Sequence, residues 1–71
     1  MLTERDWRWS FSYNLKQLLE EREMTQAKFA ELMGLTEVCI SWYINANRTP
    51  SIATLLKMCD VLDCGMEDLV C

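Results

Sequence analysis

Seventy-one residues allow one small domain, whose core is marginal by size alone. Hydrophobic residues make up 51% of the chain, yet no apolar run approaches the roughly 20 residues that cross a bilayer, and the opening MLTERDWRW has no apolar signal-peptide stretch, so a cytoplasmic protein is expected. A net charge of −4 lacks the basic excess that usually accompanies phosphate contact, which weighs against nucleic-acid binding.

That charge is unevenly placed. Residues 1–24 carry four basic and five acidic groups, residues 25–50 two of each, and residues 51–71 one basic group, Lys57, against Asp60, Asp63, Glu67 and Asp68. The acid collects at the end of the chain and leaves the middle balanced.

In chain order, the first pattern is period-2: Trp7, Trp9, Phe11 and Tyr13 alternate with Arg8, Ser10 and Ser12. Two readings stay open. Residues 1–10 are an irregular arm whose tryptophans cover a bundle formed by residues 11–71, with Ser10 or Ser12 capping the first helix. Alternatively, residues 7–13 form a strand whose unpaired edge takes the same strand of a second chain. From Asn14 a helix is clear: Leu15, Leu18 and Leu19 share a face, and Lys16, Gln17, Glu20, Glu21 and Arg22 point outward.

The stretch from Thr25 to Pro50 reads as two short helices around a tight turn. Thr25 caps the first, because its hydroxyl can accept from an otherwise orphan backbone N–H, and Phe29, Ala30, Leu32 and Met33 give it an apolar face. Gly34 ends it, since a residue just past a helix often sits at positive φ, where glycine has no Cβ penalty. Thr36 caps the second, with Ile40, Tyr43 and Ile44 turned inward. An eight-residue helix, a glycine turn and a second capped helix match a helix-turn-helix unit. Ser51, after Pro50, caps a fourth helix with the face Ile52, Leu55, Leu56, Cys59 and Leu62, and Asp63 stands at its end. Gly65 starts a last turn whose Met66 and Leu69 fold back on the core.

Little else in the chain carries chemistry. The cysteines at 39, 59, 64 and 71 form no CxxC pair, and there is no histidine, so neither a zinc site nor a thiol with an adjacent base is spelled out. Cys64 and Cys71 read as more exposed thiols with nothing basic enough nearby to activate them. Glu67 and Asp68 read as a solvated helix start. No metal, cofactor or catalytic activity is expected.

Thr25-Gln26, Phe29-Ala30, Gly34, Ile40-Ser41, and Arg48 followed by Pro50-Ser51 together resemble the Cro/repressor-type (Xre-like) helix-turn-helix family, from about Phe11 to Val70. The resemblance implies an all-α, compact domain of four to five helices, like the phage repressors. It implies binding to double-stranded DNA as a homodimer, with the helix from Glu37 to Asn45 in the major groove. Its outward positions are Thr36, Glu37, Val38, Ser41 and Trp42. Glu37 can accept from a cytosine amine or merely complement the helix N-terminus; Val38 can meet a thymine methyl; Ser41 can bond a base or a phosphate. Trp42 can pack on thymine methyls and sugars or anchor a protein interface. Phosphate contacts are expected from Gln26 at the start of the preceding helix, from Lys28, and from Asn45, Asn47 and Arg48 in the following loop.

Departures from the family are informative. Lys28 stands where relatives usually have a capping-box Glu, and Ala46 where they often have a glycine. Leu19 and Ile44 replace an Arg and a Glu that form a partly buried pair in many relatives, so these two are expected buried together. Three functions follow from the resemblance: a transcriptional regulator, most simply a repressor; the antitoxin of a toxin–antitoxin pair; or a protein-interaction module that has kept the fold and lost DNA binding.

Overall fold

The computed structural model describes residues 4–70, with side chains described from residue 7 onward. It contains α1 (Glu4–Glu21), α2 (Gln26–Met33), α3 (Glu37–Ile44), α4 (Ile52–Leu62) and α5 (Met66–Val70), and no strand among the described residues. Helix α1 packs against α3 and α5, α2 against α3 and α4, and α4 against α5.

The start of α1 corrects both readings of the N-terminal segment. Residues 7–13 are neither arm nor strand but the first half of an 18-residue helix. The alternating aromatics contain a helical pair: Trp7 stacks on Phe11 one turn later, with ring centroids 5.7 Å apart and planes 14° from parallel. Phe11 is fully buried and meets Tyr43 of α3 edge-on, whereas Trp9 and Tyr13 fall on the outer side, 61% and 65% exposed. Ser12 caps nothing; it is buried inside α1 and its hydroxyl donates to the Ile44 carbonyl at the end of α3. The strand lost because a helix satisfies its own backbone groups without a partner chain. Residues 1–3 of the expected arm lie outside the described residues.

Three of the helix starts agree with the sequence. The Lys28 N–H donates to Thr25 Oγ1 at 3.1 Å, the Cys39 N–H to Thr36 Oγ1 at 3.2 Å, and the Thr54 N–H to Ser51 Oγ at 3.2 Å. The helix ends share one device. Glu23, Gly34, Ala46 and Asp63 follow α1 to α4 with φ of 52°, 71°, 60° and 50°, and only one is glycine. After each, the next N–H reaches back five residues: Met24 to Leu19, Leu35 to Ala30, Asn47 to Trp42 and Cys64 to Cys59, at 2.8 to 3.0 Å. This is the Schellman closure, which satisfies orphan carbonyls and turns the chain. Met24, Leu35 and Cys64 then pack on the core, as the motif favours, while Asn47 stays exposed.

One core runs through the described residues: Phe11, Leu15, Leu18 and Leu19 of α1; Phe29, Ala30 and Met33 of α2; Ile40 and Ile44 of α3; Leu55, Met58 and Leu62 of α4; Leu69 of α5. Each fully buried Leu, Ile, Phe or Met among them contributes about 1.5–3 kcal/mol relative to exposure. Three expected core residues are corrected: Leu32, Ile52 and Leu56 are exposed at 42%, 68% and 52%. On α4 the buried stripe is Leu55, Met58 and Leu62, a rotation that brings in Met58 and turns Ile52 and Leu56 out. Arg22, just past α1, is exposed as expected and also engaged: its Nε donates to the Leu62 carbonyl at 2.7 Å, completing the C-terminus of α4. Asn14 does the same for α5, donating to the Leu69 carbonyl at 2.9 Å.

Candidate nucleic-acid interface

Helices α2 and α3 flank one turn and pack against each other. Gly34 at φ 71° reverses the chain, Leu35 plugs into the core, and Thr36 starts α3 with its side chain committed to the cap. Burial of Phe29 and Met33 against Ile40 and Ile44 then leaves the opposite sides of both helices to solvent.

Glu37 and Val38 are exposed in the first turn of α3, and Ser41 and Trp42, one turn on, are half-buried. Thr36 is exposed, but its hydroxyl oxygen is occupied by the Cys39 N–H. At the start of α2, Gln26 and Lys28 are exposed. Thr25 caps only the Lys28 N–H, so the N–H groups of the first turn that precede it point outward with the positive end of the helix dipole. Lys28, lacking the Glu of a capping box, reaches Glu31 at 4.0 Å, an exposed pair of little energetic weight.

Asn45, Asn47 and Arg48 are exposed in the loop after α3. They do not stand alone. The Asn45 amide donates to Ser41 Oγ at 3.1 Å, joining an expected phosphate contact to an expected base contact. The guanidinium of Arg48 lies over the Trp42 ring, 4.1 Å from its centroid. Gln26 and Ile44 line one open depression of about 290 Å³ with Lys16, Leu19, Glu20 and Met24, so the start of α2 lies beside the end of α3. Of the expected phosphate contacts, Gln26 borders this depression, and Asn45 follows directly on Ile44 at its edge.

Lys16, exposed on α1, borders the same depression as Gln26, a placement that its reading as an outward residue did not link to α2. Leu19 and Ile44 are both buried, at 5% and 8% exposure, and share the depression. Ala46 keeps positive φ as an alanine and is buried.

Among the described residues the thiols hold no comparable geometry; Cys71 lies outside them. Cys39, Cys59 and Cys64 are free and half-buried, so Cys64 is less exposed than expected. Burial pushes the Cys64 thiol up from 9.0 to about 11; Cys59 and Asp68 add to this and Arg22 opposes it, the reverse of an activated thiol. Among the described residues no three metal-binding side chains converge, and no helix is long and apolar enough to cross a membrane.

A capped helix pair of this kind is widespread, and the family profile decides which it is: the Cro/C1-type HTH DNA-binding domain matches residues 14–70. The chain belongs to this family. A curated relative, the uncharacterized HTH-type transcriptional regulator YqaE of Bacillus subtilis (strain 168), is 30% identical over 60 residues, which is 84% of this chain and 52% of the relative. Two solved structures share the family fold. An HTH_3 family transcriptional regulator from Vibrio cholerae superposes with a TM-score of 0.87 at 22% identity, over 94% of this chain and 38% of its own. The restriction-modification controller protein C.AhdI from Aeromonas hydrophila superposes with a TM-score of 0.81 at 24% identity, over 87% of this chain and 94% of its own. The chain therefore spans about half of YqaE, less of the Vibrio protein, and nearly the whole of C.AhdI.

Proposed function

We propose that this chain is a sequence-specific DNA-binding transcriptional regulator, a repressor, that places α3 in the major groove. The observation that carries this reading is the joined α2–α3 unit with its polar side chains on the solvent side, in a chain of the Cro/C1-type family. Glu37, Val38, Ser41 and Trp42 occupy the part of α3 that meets base edges in this docking mode. Gln26, Lys28, Asn47 and Arg48 are the phosphate donors, and Asn45 braces Ser41.

An eight-residue helix is about 12 Å long, too short to read more than a few base pairs. Selectivity then calls for two copies on two half-sites about 34–36 Å apart. Ile52 and Leu56, one turn apart and exposed on α4, supply an apolar strip that a second copy can cover.

Selection of bound sequences from random duplex DNA tests both statements. Enrichment of an inverted repeat is expected; recovery of no sequence sinks the reading. On the selected site, Gln26→Ala and Arg48→Ala should each weaken binding nearly uniformly across base substitutions. Loss of Arg48 should also lower the slope of log K against log salt by about one unit. Unchanged binding in both variants would show that α2 and the loop do not face the duplex.

A further inference from the structure

The sequence offers Trp42 as a base contact or an interface anchor, but its ring is already in use. The guanidinium carbon of Arg48 sits 4.1 Å above the centroid of the indole. The backbone puts it there. The Asn47 N–H closes on the Trp42 carbonyl at 2.8 Å, and Ala46, between them, takes φ 60°, so the chain leaving α3 doubles back over the last turn of that helix. The amide of Asn45 bonded to Ser41 pins the same turn from its other side.

We propose that Trp42 is a positioning residue for DNA backbone contact: it holds the Arg48 guanidinium flat on its ring, with the N–H edge directed to a phosphate. The proposal rests on the DNA-binding reading above and assigns Trp42 a role different from base reading. A planar guanidinium stacks on an aromatic face while its in-plane donors remain available, which a lysine ammonium cannot reproduce. Arg48 has no hydrogen-bond or ion-pair partner among the described residues. Its charge is also intact. A carboxylate would fix the same side chain but cancel the charge, and in a chain of net charge −4 every uncancelled cation near the duplex counts. A neutral ring fixes the side chain and leaves the charge for the phosphate.

The test compares the wild type with Trp42→Ala, Trp42→Phe, Arg48→Ala, Arg48→Lys and the Trp42→Ala/Arg48→Ala double variant on the selected duplex and its single-base variants. Trp42→Ala should weaken binding about two- to fivefold, the range of an exposed cation–π contact. The loss should be the same for every base variant and should vanish in the Arg48→Ala background. Trp42→Phe should recover part of it, and Arg48→Lys should lose more than its conserved charge predicts. A Trp42→Ala variant that changes preference at a base pair, or whose loss persists without Arg48, overturns the proposal in favour of base reading. The free protein supplies a second readout: the Arg48 side-chain protons should be shifted upfield by the indole ring current and return to ordinary values in Trp42→Ala. Absence of that shift, with DNA binding intact, overturns the stack alone. A present shift in a protein that binds no duplex overturns the DNA-binding reading and the phosphate role with it.

Discussion

Asp63 shows how much a single backbone angle can weigh in a domain this small. It sits at φ 50° after α4, exposed, and it puts a carboxylate at the negative end of the helix. A non-glycine residue in this region costs about 1 kcal/mol, and the charge adds about 0.3–1 kcal/mol in the wrong direction. Asp63→Gly removes both without disturbing packing, against about 0.4–1 kcal/mol of extra entropy in the unfolded chain. The variant should be more stable by about 1 kcal/mol, raising Tm by roughly 4–8 °C in thermal unfolding. Ala46, at φ 60°, has a buried methyl worth about 0.8 kcal/mol, which together with the same unfolded-state entropy outweighs the relieved strain, so Ala46→Gly should be slightly destabilising, by a few tenths of a kcal/mol. A gain in stability from Ala46→Gly would show that burial of its methyl does not offset the strain. At this scale the sequence was most legible where a side chain bonds its own backbone neighbourhood, as at Thr25, Thr36 and Ser51. It was least legible where a residue of no special propensity takes a special angle: nothing about Glu23 announces φ 52°.

The elements explain which faces could be read. Period-2 spacing in Trp7, Trp9, Phe11 and Tyr13 conceals a period-4 pair, and the helix around it decides which half of the pattern is buried. An eight-residue helix has barely two turns, so Leu32 fits an inward stripe as well as Met33 does until the neighbouring helices fix the rotation. The link between α1 and α3 was legible because it rests on two positions at once. Leu19 and Ile44 are buried in one core and border one depression. Leu19→Arg alone leaves an unpaired charge in that core and should destabilise the domain by about 3–5 kcal/mol. Combining it with Ile44→Glu should recover much of the loss, a coupling that a double-mutant cycle in denaturant measures directly. Additive losses would mean that the two side chains do not share an environment.

Across the whole molecule the cations divide by task. Arg22 completes the end of α4, and Lys57 lies over the end of α2, its Nζ 3.9 Å from where a Cβ would stand on Gly34. Lys16, Lys28 and Arg48 instead lie on or beside the elements proposed to face DNA: Lys16 borders Gln26, Lys28 is in the first turn of α2, and Arg48 rests on Trp42. The acids Asp60, Asp63, Glu67 and Asp68 belong to the end of α4 and to α5, and Asp68 is spent on the Gly65 N–H. Net charge is therefore a poor guide here, because what matters is the distance of each charge from phosphate relative to the screening length. That length is about 8 Å at 0.15 M salt and about 30 Å at 0.01 M. The domain is 22 Å across its shorter axes. At low salt every acid opposes binding; at physiological salt only an acid in the interface does. Glu37→Gln should therefore strengthen non-specific duplex binding several-fold at both salt concentrations, and should alter preference at one base pair per half-site if the carboxylate meets a base. Removing a favourable charge from the start of α3 should lower fold stability by about 0.3–1 kcal/mol at the same time. Asp60→Asn with Glu67→Gln removes two charges and should help only at the lower concentration. Salt titrations of both variants against one random duplex decide the matter: if the α4 and α5 pair improves binding at 0.15 M as much as Glu37→Gln does, α3 is not the face that meets DNA.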